Sequence, residues 1–301
     1  MLNKVAVGTV KFGMAYGVGK DVHQVANSET HELIDHCRLR GVDMFDTAPA
    51  YGTAEAILGD QHCAQWANIV TKAEKIVGEI IDQSAIDALK KGFDRSLARL
   101  GANQVYGLLV HSVDDLAKPG AEDMVLWMQS LKQEGRVSRI GVSVYDPVEV
   151  TKYYQEYDFD LIQLPLNLFD QRFLADNMLQ ALSNQGVEIH SRSLFLKGLL
   201  LNSAPPAGVA LELARHHQNF VQELKHRNIH AFDVCMAFAR NVEWVDKWVM
   251  GFSRLNQLKH VLNWDSRISD QFETTSAGLL WAGQDWRLNS PSVDPRNWSG
   301  A

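Results

Sequence analysis

The chain has 301 residues, 46% of them hydrophobic, and a formal net charge of -7 at pH 7. This length suits either two average domains or one large α/β barrel, and the apolar content is that of a globular protein with a substantial core. The acidic balance argues against nucleic acid or an anionic membrane as the main partner.

The cysteines and the first residues bear on the cellular compartment that we expect for the protein. Cys37, Cys63 and Cys235 are odd in number, widely spaced and without a CxxC pair, which favours a reducing environment over a disulfide framework or a zinc site. The first residues lead into a predicted strand without the apolar region of a signal peptide, and no apolar run approaches the length of a membrane span. We therefore expect a cytoplasmic protein with no membrane partner.

Short apolar runs alternate regularly with longer amphipathic stretches along the chain. The predicted strands cover 5–8, 42–45, 69–71, 105–110, 137–142, 161–164, 187–190 and 248–250. The predicted helices cover 28–41, 54–58, 82–100, 124–132, 148–157, 173–183, 211–225, 232–240 and 255–262. Ser28 is the predicted N-cap of the first helix, and Gly101 is predicted to end the helix at 82–100.

Eight βα units without a linker predict an α/β fold: a (β/α)8 TIM barrel in one domain over residues 1–301, with a helical insert (211–225) before strand eight. A doubly wound sheet is the alternative. It normally carries GxGxxG after its first strand, and the loop after Gly8 lacks that spacing. The C-terminal tail is expected to pack over the barrel because it is rich in tryptophan, with Trp264, Trp281, Trp286 and Trp298.

Three consecutive strands end in side chains that can transfer protons. Asp46 ends strand two with Tyr51 just beyond it, Lys72 ends strand three, and His111 follows strand four. In a barrel these strand ends meet at one face. Taken one at a time, each could have a purely structural role: a helix cap, a half-buried aromatic, a solvated strand end and a core histidine, for Asp46, Tyr51, Lys72 and His111 respectively.

Together, the four side chains suggest proton donation to a carbonyl group. A nearby ammonium group lowers the high pKa of a phenol, so Lys72 would tune Tyr51 as the acid. Asp46 would keep Lys72 charged, and His111 would hydrogen-bond the carbonyl oxygen. A Schiff-base aldolase with Lys72 as the nucleophile is an alternative on the same barrel.

The histidines do not predict a metal site. The segment from His31 to His36 has one residue more than HExxH, so the two imidazoles would point in different directions from the helix. The remaining histidines of the insert region, which we expect to be solvated, are His216, His217, His226 and His230.

The motifs resemble those of the aldo/keto reductase superfamily over nearly the whole chain. Members carry D-T-A-x-x-Y-G after strand two, which stands here at residues 46–52, then T-K at 71–72 and a histidine at position 111. The resemblance continues through 135–143, Gln163 with Asn167, 192–199 and 251–258. Residues 8–17 and 169–173 resemble a bacterial branch often found with surface-polysaccharide genes, which suggests a sugar-derived substrate.

The resemblance implies reduction of an aldehyde or ketone by NADPH, with NAD(H) as the alternative cofactor. Tyr51 would supply the proton, while Ser143 and Gln163 would hold the nicotinamide carboxamide. The loop from Ser193 to Gly198 would surround the pyrophosphate, and Ser253, Arg254 and Gln257 would lie near the adenosine phosphate. The full set of implied cofactor-binding residues is Gly8, Thr9, Val10, Asp46, Ser143, Gln163, Arg192, Ser193, Leu194, Leu196, Gly198, Ser253, Arg254 and Gln257.

Some positions depart from the family pattern. Arg192 stands where many members stack an aromatic ring on the nicotinamide, and Val144 replaces a frequent Asn. His260 with Val261 replaces a Glu-Asn pair near the adenine, and Phe252 replaces a common lysine. NADPH preference therefore rests chiefly on Arg254.

A third reading is a regulatory protein that binds the cofactor and senses its redox state with little turnover. The substrate pocket is expected to be shaped by the loop after Gly8, by Ser112–Gly120 and by the tail, in which Trp281 or Trp286 could line it.

Overall fold

The structure is a computed structural model that describes residues 2–17, 22–264, 271–275, 278–288 and 290–298. Eight parallel strands form its frame. They are Val5–Gly8 (β1), Met44–Asp46 (β2), Asn68–Lys72 (β3), Val105–Val110 (β4), Val137–Ser143 (β5), Leu161–Pro165 (β6), Glu188–Arg192 (β7) and Lys247–Gly251 (β8).

The strands pair in chain order, and β8 pairs with β1 to close the barrel. At the closure Val5 lies opposite Trp248 and Gly8 opposite Gly251. Closure removes every sheet edge and brings the carboxyl ends of the eight strands to one rim. The predicted (β/α)8 barrel is confirmed, and the doubly wound sheet is wrong.

Helices surround the barrel. They are Val10–Gly13 (α1), Asn27–Arg40 (α2), Ala54–Asp60 (α3), Gln83–Leu100 (α4), Ala121–Gln133 (α5), Pro147–Tyr157 (α6), Met178–Asn184 (α7), Leu211–Arg227 (α8), Ala231–Asn241 (α9) and Leu255–Leu262 (α10). The helix α8 is the predicted insert. No helix among the described residues has the length and apolar content needed to cross a membrane.

Helix α4 shows how the sequence determines these elements. The Asp82 carboxylate accepts the Ala85 amide at 2.9 Å as N-cap, and Gly101 ends the helix in the left-handed region with φ 60°. The buried face of α4 carries Ile86, Leu89, Phe93, Leu97 and Leu100. Each such side chain contributes about 1.5–3 kcal/mol on burial, so amphipathic spacing fixes which face packs on the barrel.

Two apolar layers follow from the alternation of side chains along the strands. The outer faces of the strands join the helices in one large core. A smaller group fills the barrel itself: Ala6, Met44, Val70, Leu109, Leu161 and Val249. The barrel is therefore a filled support, and chemistry is confined to its rim.

The described part of the tail packs against the body as predicted. Phe272–Thr275 (β9) and Gly278–Trp281 (β10) form an antiparallel hairpin. The backbone of Leu279 exchanges two hydrogen bonds with the Gln171 side chain, at 2.7 and 3.0 Å. Trp281 and Trp286 are buried beside Phe220 of α8, at 5.9 and 5.3 Å between ring centroids.

Two predicted helix features are wrong. Helix α2 begins at Asn27 with Ala26 at the N-cap position, so Ser28 lies inside the first turn. The predicted helix over 173–183 breaks into a 3-10 segment, Arg172–Asn177, followed by α7. The break occurs because Asp176 and Asn177 adopt left-handed φ values of 53° and 56°, which Asp and Asn tolerate.

The histidines of the insert are a further correction. His226 and His230 are exposed as expected, but His217 is fully buried and His216 is only partly exposed. His217 shares the inward face of α8 with Leu213, Phe220 and Leu224. The His216 ring contacts Phe169 at 4.5 Å between centroids, and its Nε2 donates to the Trp286 carbonyl oxygen at 2.9 Å, so His216 takes part in the packing of the tail on the insert.

Candidate active site

Two loops that follow β1 and β2 hold Tyr51 in place by backbone contact. Gly52 has φ 58°, and a Cβ built on it would lie 2.2 Å from the Gly13 carbonyl oxygen. A Cβ on Gly13 would lie 1.8 Å from the Tyr51 carbonyl oxygen. Only glycine permits this approach, and the approach fixes the position of the phenol.

The centre of the site is an ion pair at the ends of β2 and β3. Lys72 Nζ donates to the Asp46 carboxylate oxygens at 2.8 and 2.9 Å and to the Thr47 carbonyl oxygen at 2.9 Å. The side chains of Lys72 and Asp46 are only 1% and 7% exposed. The ammonium group therefore has its donors satisfied in a dry environment, as a buried charge requires.

Residues at the ends of other strands hold this pair. Thr9 at the end of β1 donates both its backbone N–H and its hydroxyl to the Asp46 carbonyl oxygen, at 2.9 and 3.0 Å. Gln163 on β6 donates its side-chain amide to Asp46 Oδ1 at 2.7 Å. Asp46 thus joins β1, β3 and β6.

Tyr51 lies between Lys72 and His111. Lys72 Nζ is 5.0 Å from the centroid of the Tyr51 ring. The rings of Tyr51 and His111 meet edge to face, with centroids 6.1 Å apart at 88°. The structure therefore brings together the four side chains predicted at the strand ends.

Burial and charge set the protonation of Tyr51 and Lys72. Burial raises the pKa of Tyr51 above its ordinary value, and this effect outweighs the lowering caused by the nearby Lys72 ammonium. The predicted net lowering of that pKa is wrong for this structure. Burial disfavours the charge on Lys72, but Asp46 and Tyr51 outweigh it and raise the pKa of Lys72. At neutral pH the site therefore holds a protonated phenol beside a charged lysine.

His111 is neutral at pH 7. Burial, followed by the positive charge of Lys72, lowers the pKa of His111 to about 4. A neutral imidazole carries one N–H and so can donate a hydrogen bond without a net charge.

A cavity of about 630 Å³ opens over this group. Most of the predicted cofactor-binding residues line it: Gly8, Thr9, Val10, Asp46, Ser143, Gln163, Arg192, Ser193, Leu194, Gly198, Ser253 and Gln257. Two predicted residues lie elsewhere. Leu196 is buried in the apolar core, and Arg254 is an exposed residue at the N-cap position of α10.

The β7 loop has an unusual backbone. Ser193, Leu196 and Lys197 have φ values of 65°, 47° and 53°, and Gly198 has 95°. Left-handed non-glycine residues are strained and cluster at ligand-binding segments. The cluster coincides with the segment expected to surround the pyrophosphate.

The sequence reasoning missed several residues of this cavity. Tyr16 and Lys197 face each other across it, with Lys197 Nζ 5.3 Å from the Tyr16 ring centroid, and Lys11 Nζ donates to Ser253 Oγ at 2.8 Å. Tyr145 lies two residues beyond Ser143, so the strand-end rule could have found it.

A second cavity of about 520 Å³ adjoins the first, and both are lined by His111 and Tyr145. Its remaining wall includes Arg296 from the tail and Lys75 from the loop after β3. Trp281 and Trp286 line neither cavity, because both are packed on α8. The tail thus reaches the site through Arg296.

Metal ligation is not indicated within the described ranges, which contain no group of three or more His, Cys, Asp or Glu suited to hold an ion. Cys37, Cys63 and Cys235 are buried free thiols.

The fold and the site together define a (β/α)8 barrel with a buried Lys72–Asp46 pair beside Tyr51 and His111 at the carboxyl ends of its strands. A model of the Aldo/keto reductase family matches residues 4–272. The chain belongs to this family, which confirms the resemblance.

Two relatives of known name are similar over most of the chain. D-arabinose 1-dehydrogenase of Saccharomyces cerevisiae is 25% identical in an alignment of 259 residues that covers 77% of this chain and 75% of the yeast protein. NADH-specific methylglyoxal reductase of Escherichia coli is 23% identical in an alignment of 218 residues that covers 66% of this chain and 65% of that protein.

Solved structures share the fold. An aldo-keto reductase from Bacillus halodurans in its holo form superposes with a TM-score of 0.67 at 18% identity, covering 86% of this chain and 85% of that one. A putative aldo-keto reductase from Pseudomonas aeruginosa gives 0.62 at 20% identity, with 86% and 88% covered.

Proposed function

We propose that the protein reduces an aldehyde or ketone to an alcohol with a nicotinamide cofactor, and that Tyr51 is the proton donor. The observation that carries this proposal is the Lys72–Asp46 pair, bonded at 2.8 and 2.9 Å, beside Tyr51 and His111 in one cavity. Family membership indicates an oxidoreductase that uses a nicotinamide cofactor.

Each side chain then has a role. The protonated Tyr51 gives its proton to the carbonyl oxygen, and the charged Lys72 stabilises the phenolate that remains. Neutral His111 donates a hydrogen bond to the same oxygen. Asp46 keeps Lys72 charged and oriented. A lysine with a raised pKa is a poor amine nucleophile, which disfavours the Schiff-base aldolase.

The cavity fits a dinucleotide. Ser143 and Gln163 at its base offer hydrogen bonds to a carboxamide, the strained β7 loop faces the middle, and Lys11 with Ser253 lies toward α10. The bound cofactor supplies the hydride. We propose NADPH as the preferred form, on the basis of Lys11 and the exposed Arg254 near Ser253. We also propose a cytoplasmic location, since three buried thiols suit a reducing compartment.

The substrate proposal is a small polar carbonyl compound, including sugar-derived ones. Tyr16, Tyr145 and His111 give the substrate side of the cavity hydroxyl and imidazole groups. The names of the yeast and Escherichia coli relatives refer to a sugar and to methylglyoxal.

The test compares wild type with Tyr51→Phe on a panel of sugar aldehydes and small ketones with NADPH and with NADH. We expect wild-type turnover with at least one pair, and a loss of about 100-fold or more in kcat for the variant, which is the range of general acid catalysis. Binding of both cofactors to the variant, measured by calorimetry, should be preserved. Full turnover by Tyr51→Phe contradicts the assigned proton donor, and cofactor binding without turnover by wild type favours the regulatory reading.

A further inference from the structure

Arg192 brings a fixed positive charge to the rim of the barrel. It ends β7 and lines the larger cavity together with Tyr51, His111 and Gln163. Its Nη2 donates to the Val144 carbonyl oxygen at 2.9 Å, and its Cζ lies 4.0 Å from the centroid of the Tyr145 ring. The same ring contacts Arg296 Cζ at 3.5 Å. Arg192 is thus held by a hydrogen bond and by stacking.

Within the part of the chain that the structure describes, no carboxylate is in direct contact with this guanidinium. Among the described residues Arg192 forms no salt bridge, whereas Lys72 is paired with Asp46 and Arg296 with Asp294. Another cation of the cavity lining, Lys197, lies over Tyr16. A guanidinium stays protonated at any working pH. Its charge acts on the site: after burial and Lys72, Arg192 is among the groups that lower the pKa of His111.

The chemistry of the proposed function brings the nicotinamide ring into this field. In such a reduction, hydride and proton reach the two ends of one carbonyl bond, so a bound nicotinamide ring would lie close to the carbonyl group that Tyr51 protonates. The oxidised ring carries one positive charge and the reduced ring none, and the rest of the cofactor is the same in both forms.

We propose, on the basis of that function, that Arg192 makes the site select the reduced cofactor over the oxidised one. A fixed charge a few ångströms from a second like charge, at the effective dielectric of a partly exposed site, disfavours the oxidised form by roughly tenfold or more. An aromatic ring at this position would attract the oxidised ring instead.

The consequence concerns the direction of the reaction. Weak binding of the oxidised form promotes its release after each reduction. It also opposes oxidation of the alcohol, because that reverse reaction requires the oxidised cofactor to bind. A tenfold difference in the two dissociation constants raises the potential of the bound two-electron couple by about 30 mV. Arg192 would thus favour reduction of the carbonyl compound over oxidation of the alcohol.

The test measures the dissociation constants of NADPH, NADP+, NADH and NAD+ by calorimetry for wild type, Arg192→Gln, Arg192→Lys and Arg296→Gln. We expect wild type to bind the reduced member of a pair at least tenfold more tightly. Arg192→Gln should bring the two constants of that pair to within about twofold, mainly through tighter binding of the oxidised form. Arg192→Lys keeps the charge and should retain most of the ratio. Arg296→Gln removes a cation from the same ring but not from this cavity, so its ratio should stay at the wild-type value.

Several outcomes would overturn the inference. Equal affinity of wild type for the two redox forms would contradict the inference. This measurement needs no variant, so it remains available if Arg192→Gln does not fold. A ratio that survives Arg192→Gln, or that Arg192→Lys loses completely, assigns the preference to something other than charge. If wild type binds none of the four cofactors, the proposed function is wrong. This result differs from equal binding of the redox forms, which contradicts only the role of Arg192.

Discussion

Replacement of Asp46 by Asn removes the charge that balances Lys72 while keeping the shape of the side chain. Both groups are nearly inaccessible, with 7% and 1% of their side chains exposed. Loss of one partner from a buried ion pair costs about 3–5 kcal/mol because the remaining charge is left uncompensated. Since Asn keeps an oxygen that can accept from Lys72, we expect the lower end, about 3 kcal/mol of unfolding free energy.

A double-mutant cycle measures the coupling free energy between Asp46 and Lys72 separately from their interactions with other residues. Lys72→Met alone should also destabilise, but less, because Gln163 still donates to Asp46 at 2.7 Å. The double variant contains no uncompensated charge, so its destabilisation should fall short of the sum of the single variants by about 2–3 kcal/mol, a coupling within the range for contacting residues.

The assay is guanidinium chloride unfolding followed by far-UV circular dichroism. The matched control is the exposed pair of Arg95 with Glu74, 2.9 Å apart with 54% and 37% of their side chains exposed, for which the coupling should be below about 1 kcal/mol. A coupling for Asp46 and Lys72 no larger than that of the control would refute the reasoning, because burial would then have no energetic effect on the pair.

Two further predictions concern pH and backbone contact. The folded state lowers the pKa of His111 from 6.5 to about 4, so between these values the unfolded chain binds more protons and stability falls as pH falls. After allowance for the partial exposure of this side chain, His111→Gln should abolish about 2 kcal/mol of the loss in unfolding free energy between pH 7 and pH 4. Urea unfolding at several pH values measures this loss, and an equal loss in the variant and in wild type would contradict the prediction. A Cβ on Gly141 of β5 would lie 1.8 Å from the Leu161 carbonyl oxygen of β6, so Gly141→Ala should destabilise by about 3 kcal/mol or more. Gly251→Ala, whose Cβ would meet nothing closer than the Gly8 oxygen at 3.8 Å, should have little effect on the melting temperature.

The barrel and the centre of the site followed from short-range patterns. Apolar runs of strand length alternating with helices such as α4 are enough to define eight βα units. The convergence of Asp46, Lys72 and His111 then follows from topology, because parallel strand ends meet at one rim whatever their distance in sequence. The expectation of one domain over the whole chain stays a prediction.

What the sequence could not provide depends on burial and on contacts between distant segments. The net pKa shift of Tyr51 was predicted with the wrong sign because a charge beside a phenol can be inferred from motifs, whereas the depth of its burial cannot. The burial of His217 left a signal, since 213, 217, 220 and 224 share one helix face. Nothing in the aperiodic tail indicated that Arg296 would contact Tyr145, because that contact joins residues from separate loops.

The hydrogen bond from Gln163 to Asp46 links occupancy of the cavity to the acidity of Tyr51. Any ligand that draws the Gln163 amide toward itself leaves Asp46 with one donor fewer, and the carboxylate then holds the Lys72 ammonium more strongly. An ammonium held in this way stabilises phenolate less, so Tyr51 becomes a weaker acid. The empty and the loaded protein therefore differ in proton affinity at Tyr51 even if no backbone atom moves, and a titration of that phenol reports whether a ligand occupies the cavity beside Gln163.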